Sequence, residues 1–356
     1  MLSKEAFSFD EIDEDLVLID LTNRANLEAV VVTSGGIVIL FDLALGKSSE
    51  IGKLTFDSFS PELRHPFFPG NIQLHSFHDY ISVTHVYGSF GTVLDLGNPK
   101  FSKSLDRGNY HPEVSRFPVA FFPTDDDTFL IHATDWNRLD ITRLKSNELL
   151  TDRIVDCETN ENYFDYFHCG LSVAPDSKSF VSNGWYWHPF GQITWYSIER
   201  FLREFELSHV NLELTDNLDP EGTCIELGWD RPICWIDSNT MGIGYNRAVG
   251  YYGQKKDFLS EILVYDLKDS RVARRIEFDG FAIDSENEVK GDLFFDVYKQ
   301  QFIALNNTKG LLITDIDGQI VASTSELWGW KYNISNKRFY RTNEKDKRVE
   351  IAYDIS

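Results

Sequence analysis

Short, largely apolar runs recur along almost the whole chain. LEAVVVT (27–33), YISVTHV (80–86), TFLIHAT (128–134) and EILVYDL (261–267) are representative, and Gly, Pro, Asn, Asp or Ser stand between such runs. Runs of four to eight residues rich in β-branched and aromatic side chains between turn formers predict β-strands. The Ser34-Gly35-Gly36 turn between two apolar runs predicts a hairpin, because glycine accepts positive φ. A short ending closes many of the runs: Phe41-Asp42-Leu43, Leu94-Asp95-Leu96, Leu139-Asp140-Ile141, Tyr265-Asp266-Leu267, Thr314-Asp315-Ile316 and Tyr353-Asp354-Ile355. Tyr196-Ser197-Ile198 is a seventh, with serine in place of aspartate. These endings recur at roughly 40 to 70 residues, and such a period in an all-β chain predicts propeller blades. Ile19-Asp20-Leu21 and Phe295-Asp296-Val297 fit the same short pattern but fall too close to their neighbours, so they are read as inner strands.

Seven endings predict an all-β, seven-bladed β-propeller, each blade a meander of four strands, a to d, from the axis outward. The seventh blade runs out at Ser356 with three strands. The segment Ala6-Phe7-Ser8-Phe9 precedes blade one and is expected to supply the fourth, closing the ring by the N-terminal strand. The expected organisation is one domain over 1–356, with 1–15 as the closing segment and loop insertions at 185–191 and 246–260. Helix is scarce. Ile198, Phe201, Leu202 and Phe205 would share one face of a short helix, expected on the outside of blade four.

The first turn of blade four reads Ala174-Pro175-Asp176-Ser177-Lys178. It resembles the Ser/Ala-Pro-Asp-Gly-Lys turn between the first two strands of bacterial WD40-like propeller blades. With the strand endings, that resemblance covers nearly the whole chain. It implies an architecture and no particular activity. No blade ends in Trp-Asp, and no Gly-His pair precedes the strands at a regular offset. The family's buried Asp-His-Ser/Thr-Trp network is therefore assigned to no residue.

Charge narrows the choice of partner. The 356 residues carry 34 Lys and Arg against 56 Asp and Glu, a formal charge of −22. That field repels nucleic-acid phosphates and anionic lipid, so neither nucleic acid nor membrane is expected as a partner. The start, Met1-Leu2-Ser3-Lys4-Glu5, lacks the basic and apolar stretches of a secretory leader. Cys157, Cys169, Cys224 and Cys234 form no CxxC pair. A cytoplasmic location is expected, without structural disulfides.

Chemistry-bearing patterns are few. Asp125-Asp126-Asp127 lacks the alternating spacing of a calcium loop and is read as a solvated turn. His75, His78 and His85 lie close in sequence, but His75 and His78 would face opposite sides of one strand. No metal site and no cofactor are expected. GxSxG, HExxH and the P-loop are all missing. Asp230, Glu226, Asp165 and Glu161 are conceivable channel-mouth carboxylates, without any sign that they pair.

In a propeller, the b–c turns and the d–a connections emerge on one face, around the channel mouth. The long segments of this chain fall there, and they are aromatic. The segments are His65-Pro66-Phe67-Phe68-Pro69, Tyr110-His111-Pro112, Tyr163 to His168, Trp185 to Gly191, Gly228 to Arg231 and Asn246 to Lys256. Aromatics with arginine are the side chains that anchor interfaces. The expected function is a protein-interaction scaffold, with no catalysis, binding a protein or peptide and favoured as a monomer. The binding residues expected are Trp185, Trp187, His188, Tyr251, Tyr252, Tyr163, His168 and Arg231, with the insertions of blades four and five at the centre. The alternative is a propeller enzyme or small-ligand binder, hydrolase- or lyase-like, with its site at the channel mouth.

Overall fold

The computed structural model describes residues 3–56, 72–124, 126–159, 161–186, 190–214, 229–249, 257–283, 289–306 and 308–352. Among these residues there are seven four-stranded sheets and one two-stranded hairpin. The sheets are the blades of a seven-bladed β-propeller. Blades one to six span 16–53, 72–106, 119–149, 166–211, 233–277 and 292–324, and blade seven spans 331–352. By internal contact density the chain forms two compact units. One comprises 1–171, 199–208 and 332–356; the other comprises 172–198 and 209–331.

Burial explains the sequence pattern. In blade one the second strand, Glu28–Thr33, is buried at every position, while the outer strand Lys47–Lys53 (KSSEIGK) is mostly exposed. Inner strands covered on both faces read as continuous apolar runs, and outer strands keep charge toward water.

The aspartate endings have a local cause. Asp42 Oδ1 accepts from the amides of Ala44 and Leu45, Asp95 Oδ1 from Gly97 and Asn98, and Asp266 Oδ1 from Lys268 and Asp269. Asp315 Oδ1 accepts from Asp317 and Gln319. Each carboxylate caps the turn from strand c to strand d, where backbone donors lack ladder partners. Leu139-Asp140-Ile141 is different. It lies inside strand Arg138–Arg143, and Asp140 points into a buried ionic group. The last ending, Tyr353-Asp354-Ile355, lies outside the described residues.

Strand Lys4–Ser8 pairs antiparallel with Arg348–Ala352, Lys4 opposite Ala352 and Ser8 opposite Arg348, as the outer strand of blade seven. Phe9 follows it. It is fully buried, 4.7 Å from the Phe41 ring, in a cluster holding Leu16, Ile19, Val31, Tyr340 and Val349. One residue thus joins the N-terminal strand to blades one and seven.

Asparagines fasten neighbouring blades. Asn23 Nδ2 donates to Ser76 O, Asn137 to Phe164 O at 2.9 Å, and Asn333 to Thr22 O at 2.9 Å. In the other unit Asn183 donates to Arg231 O at 2.7 Å, and Asn306 to Gly280 O.

The helix Ile198–Glu204 forms where its apolar spacing places it, with Phe201 buried and Leu202 exposed. Its packing corrects the expectation. Segment 199–208 groups with the unit that holds blades one to three, and its Glu206 meets blade three at Leu139. The outer strand of blade three is only Glu148–Leu149, so the Leu139 amide has no strand-d partner beside it. Glu206 Oε1 accepts from that amide at 2.6 Å.

Candidate functional site

Three connections of the first unit converge. They are the passage from blade two to blade three (107–118), the b–c turn of blade three at Trp136-Asn137, and the passage into blade four (150–165). The first is shaped by Arg107, which is 2% exposed. All five guanidinium donors are used: Nε to Gly88 O (2.8 Å), Nη1 to Ser115 Oγ (2.9 Å) and Arg116 O (3.3 Å), Nη2 to Pro112 O and Ser115 O (both 2.7 Å). Burial pulls this guanidinium down to about 10, which still leaves it charged at neutral pH. One side chain therefore gathers the carbonyls of a whole loop. Gly108 turns the chain at φ +74°, a conformation that side chains resist, and its α-carbon faces Asp135 of the adjoining turn. His111, also left-handed at φ 46°, opens the turn Pro112–Val114, and its Nδ1 lies 3.1 Å from Glu113 Oε1.

This loop presents Tyr110, 45% exposed, to Trp136 with ring centroids 5.0 Å apart. Trp136 also meets Phe167 at 4.5 Å and Tyr163 at 6.4 Å, and Phe167 is fully buried beneath them. The His111 ring stands edge-on to Tyr110 at 4.8 Å. Asn137, next to Trp136, holds the blade-four passage through Phe164 O. The result is a half-buried aromatic cluster on a floor of Phe167. Aromatic contacts of this kind add about 0.5–1.5 kcal/mol each beyond area burial.

Its rim is acidic. Glu113 is exposed beside His111, and Asp135 and Asp165 are exposed beside Tyr163. Tyr163 responds to them: burial, and after it the charges of Asp165 and Asp135 among others, hold its phenol above the ordinary value.

A second aromatic group lies in the other unit. Trp185 faces Trp229 at 5.7 Å, and the guanidinium carbons of Arg231 and Arg275 lie 5.5 and 5.8 Å from the Tyr245 ring. Arg275 also pairs with Glu261 at 3.1 Å. This group is largely interior: Trp185, Arg231, Tyr245 and Glu261 are all buried.

No family model matches the sequence, and no curated protein matches it. Solved structures do. The Neurospora crassa Pan2 WD40 domain is 9% identical, with a TM-score of 0.56 over 99% of this chain and 94% of that one. Saccharomyces cerevisiae Sqt1 is 12% identical, with a TM-score of 0.56 over 96% and 84%. A chain of the Mitotic Checkpoint Complex is 10% identical, with a TM-score of 0.55 over 98% and 92%. The fold is that of a WD40-type β-propeller. At these identities the likeness is one of fold.

Within that propeller, the expected binding residues are distributed unevenly. Tyr163 is in the aromatic cluster, half-buried. His168 lies inside strand Tyr166–Val173, not on a loop, and is fully buried with its ring 4.9 Å from Tyr166. Trp185 ends the buried run of strand Ser179–Tyr186, and Arg231 is 9% exposed. Trp187, His188, Tyr251 and Tyr252 lie outside the described residues, as do 65–69, Glu226 and Cys224. Part of the expected insertion 246–260 continues the hairpin ladder, which pairs Asn246 with Ser260 and Val249 with Asp257. His78 is not in a strand with His75; it sits in the following turn at φ 50°. Among the described residues, no group of three or more His, Cys, Asp or Glu is placed to hold a metal, and no helix is long and apolar enough to cross a membrane.

Sequence reasoning passed over Trp136. Its signal was available: a tryptophan inside the two-residue turn Asp135-Trp136-Asn137-Arg138, where small polar residues are the rule.

Proposed function

We propose that this chain is a protein-interaction module whose partner docks on the channel-mouth face, across Tyr110, Trp136 and Tyr163. The observation that carries the reading is the aromatic cluster itself. Its edges are exposed, while the loop beneath it is fixed by a buried arginine with every donor committed. A surface ordered before binding loses less entropy on docking, and exposed aromatic anchors contribute most of the energy at interfaces. The fold supports the reading in a general way, since one matched structure is that of a complex. A cytoplasmic setting belongs to the same proposal. So does a contribution from Trp187, His188, Tyr251 and Tyr252, tested separately by substitution.

Peptide display against the purified chain tests it. Selected peptides should lose at least about tenfold in affinity on Trp136→Ala, as removal of a central anchor costs ~2 kcal/mol or more, with the thermal transition nearly unchanged. Peptides indifferent to Trp136→Ala and Tyr110→Ala, but lost on substituting Leu45 in the c–d turn of blade one, would place recognition on the opposite face.

A further inference from the structure

We propose that the Tyr110–Trp136–Tyr163 cluster receives an arginine-bearing, basic peptide segment of a partner protein, with a guanidinium laid along the Trp136 indole between Asp135 and Asp165. This rests on the reading of the cluster as the recognition surface and adds the chemistry of what it recognises.

The argument begins with where the positive charges go. The passage 107–118 contains two arginines, Arg107 and Arg116, and the passage 150–165 contains one, Arg153. Arg107 and Arg153 are interior, and Arg116 is half-buried. Arg107 spends its donors on Gly88, Pro112, Ser115 and Arg116. Arg153, with a side chain 3% exposed, lies between Asp140 and Glu206. What the same passages show to water is negative: Glu113 from the first and Asp106 just before it, Asp152, Glu158, Glu161 and Asp165 from the second, with Asp135 on the turn between them. The folding of these loops thus turns Arg107 and Arg153 inward and leaves the carboxylates outward, while the half-buried Arg138 of the turn is committed to Asp140.

The aromatic rings supply the second half of the match. An indole face attracts a cation through its quadrupole, and a planar guanidinium stacks on it better than an ammonium does. Carboxylates at the edge of the stack accept the guanidinium N–H groups in charge-assisted bonds. Acidic peptides and phosphates meet the reverse: carboxylates facing their own charge. The chain's overall charge of −22 steers a basic segment toward the face and strengthens encounter at low salt.

Since any polycation is drawn to an acidic protein, the decisive variant must remove rings and leave charge alone. A fluorescein-labelled nonapeptide of alternating arginine and serine is the probe, read by anisotropy at low and at physiological ionic strength, with a glutamate–serine peptide as control. The wild-type chain should bind the arginine peptide and not the glutamate peptide. Trp136→Ala and Tyr110→Ala should each weaken binding at least about tenfold at unchanged net charge. Trp136→Phe should retain most of it, and Asp135→Asn with Asp165→Asn should weaken it by about three- to tenfold. Neutralising the remote Glu350 should leave it unchanged. Equal binding by wild type, Trp136→Ala and Tyr110→Ala would show attraction to bulk charge alone and overturn the proposal. If the arginine peptide fails while displayed peptides still need Trp136, the basic partner is wrong and the surface stands. If the displayed peptides also ignore Trp136, both fall together.

Discussion

Two buried arginines, Arg107 and Arg153, solve the same problem in opposite ways. Each is nearly inaccessible and charged, and such a group is stable inside a protein only when it is paired or hydrogen-bonded. Arg153 is held by charge: Nη1 to Asp140 Oδ1 at 2.7 Å, Nη2 to Glu206 Oε1 at 2.6 Å, and the Phe205 ring 4.3 Å from its guanidinium carbon, while its Nε has no hydrogen-bond partner among the described residues. Arg138 Nε and the Thr151 hydroxyl also donate to Asp140 at 2.8 and 2.7 Å, and so does the Thr134 hydroxyl. Burial pushes the Glu206 carboxyl up, and Arg153 pulls it back. This group staples segment 199–208 to blade three. Arg107 is satisfied by neutral carbonyls and one hydroxyl, so it consumes no carboxylate. The difference teaches how the rim acquires its character. The ionic staple uses its carboxylates internally, whereas the carbonyl cage leaves the neighbouring ones facing water beside Tyr110 and Trp136.

The comparison breaks most visibly at Arg153. Arg153→Met leaves Glu206 buried without a cation and Asp140 with Arg138 alone, and should cost about 3–5 kcal/mol, measured by urea unfolding. A cost under ~1 kcal/mol would mean that the staple is not formed. Arg107→Met removes donors from several carbonyls and should cost roughly 2–3 kcal/mol; it should also abolish rim binding, which no Arg153 variant that still folds should do. Arg107→Lys should not restore binding, because three ammonium donors cannot reproduce a planar fork.

Acid should act next. His75 and His132 are held at about 4 by burial. In His132, Nδ1 donates to Ala133 O, and Nε2 accepts from the Thr142 hydroxyl at 2.9 Å, an arrangement that suits the neutral ring. Their folded values lie below the unfolded one near 6.5. The unfolded chain therefore binds more protons between about pH 6.5 and 4, and stability must fall as pH falls through that window. Each should contribute a loss of about 1–2 kcal/mol by pH 5, and His132→Asn should flatten the slope. A last contrast separates two aspartates of like sequence, and the smallest effect falls on Asp315. Asp315→Ala removes a turn cap and should cost about 1 kcal/mol; Asp140→Ala should cost several times more, about 3 kcal/mol or above.

Those two aspartates show how far the sequence reads. The blade repeat was legible because each capping aspartate answers a local need, two amides in the next turn. Asp140 imitates the pattern at the level of three residues, but its partner Arg153 stands 13 positions away, and Glu206, the other carboxylate on Arg153, stands 66 away, beyond any local signal. The helix was legible from its apolar spacing, while its destination depended on those same distant charges. His168 was misplaced on a loop because strand Tyr166–Val173 begins just before it, and an aromatic run does not show where coil becomes strand. The cluster was half legible. Tyr110 and Tyr163 lie in long aromatic segments, whereas Trp136 hides in a tight turn.

Hydrogen–deuterium exchange with a rim-binding peptide bound and absent tests the central claim most directly. Protection confined to 107–117, 135–137 and 161–167 is the result expected of a recognition surface built from these three connections. Protection at the c–d turns around 44–46 and 96–98, with those segments unchanged, would contradict it.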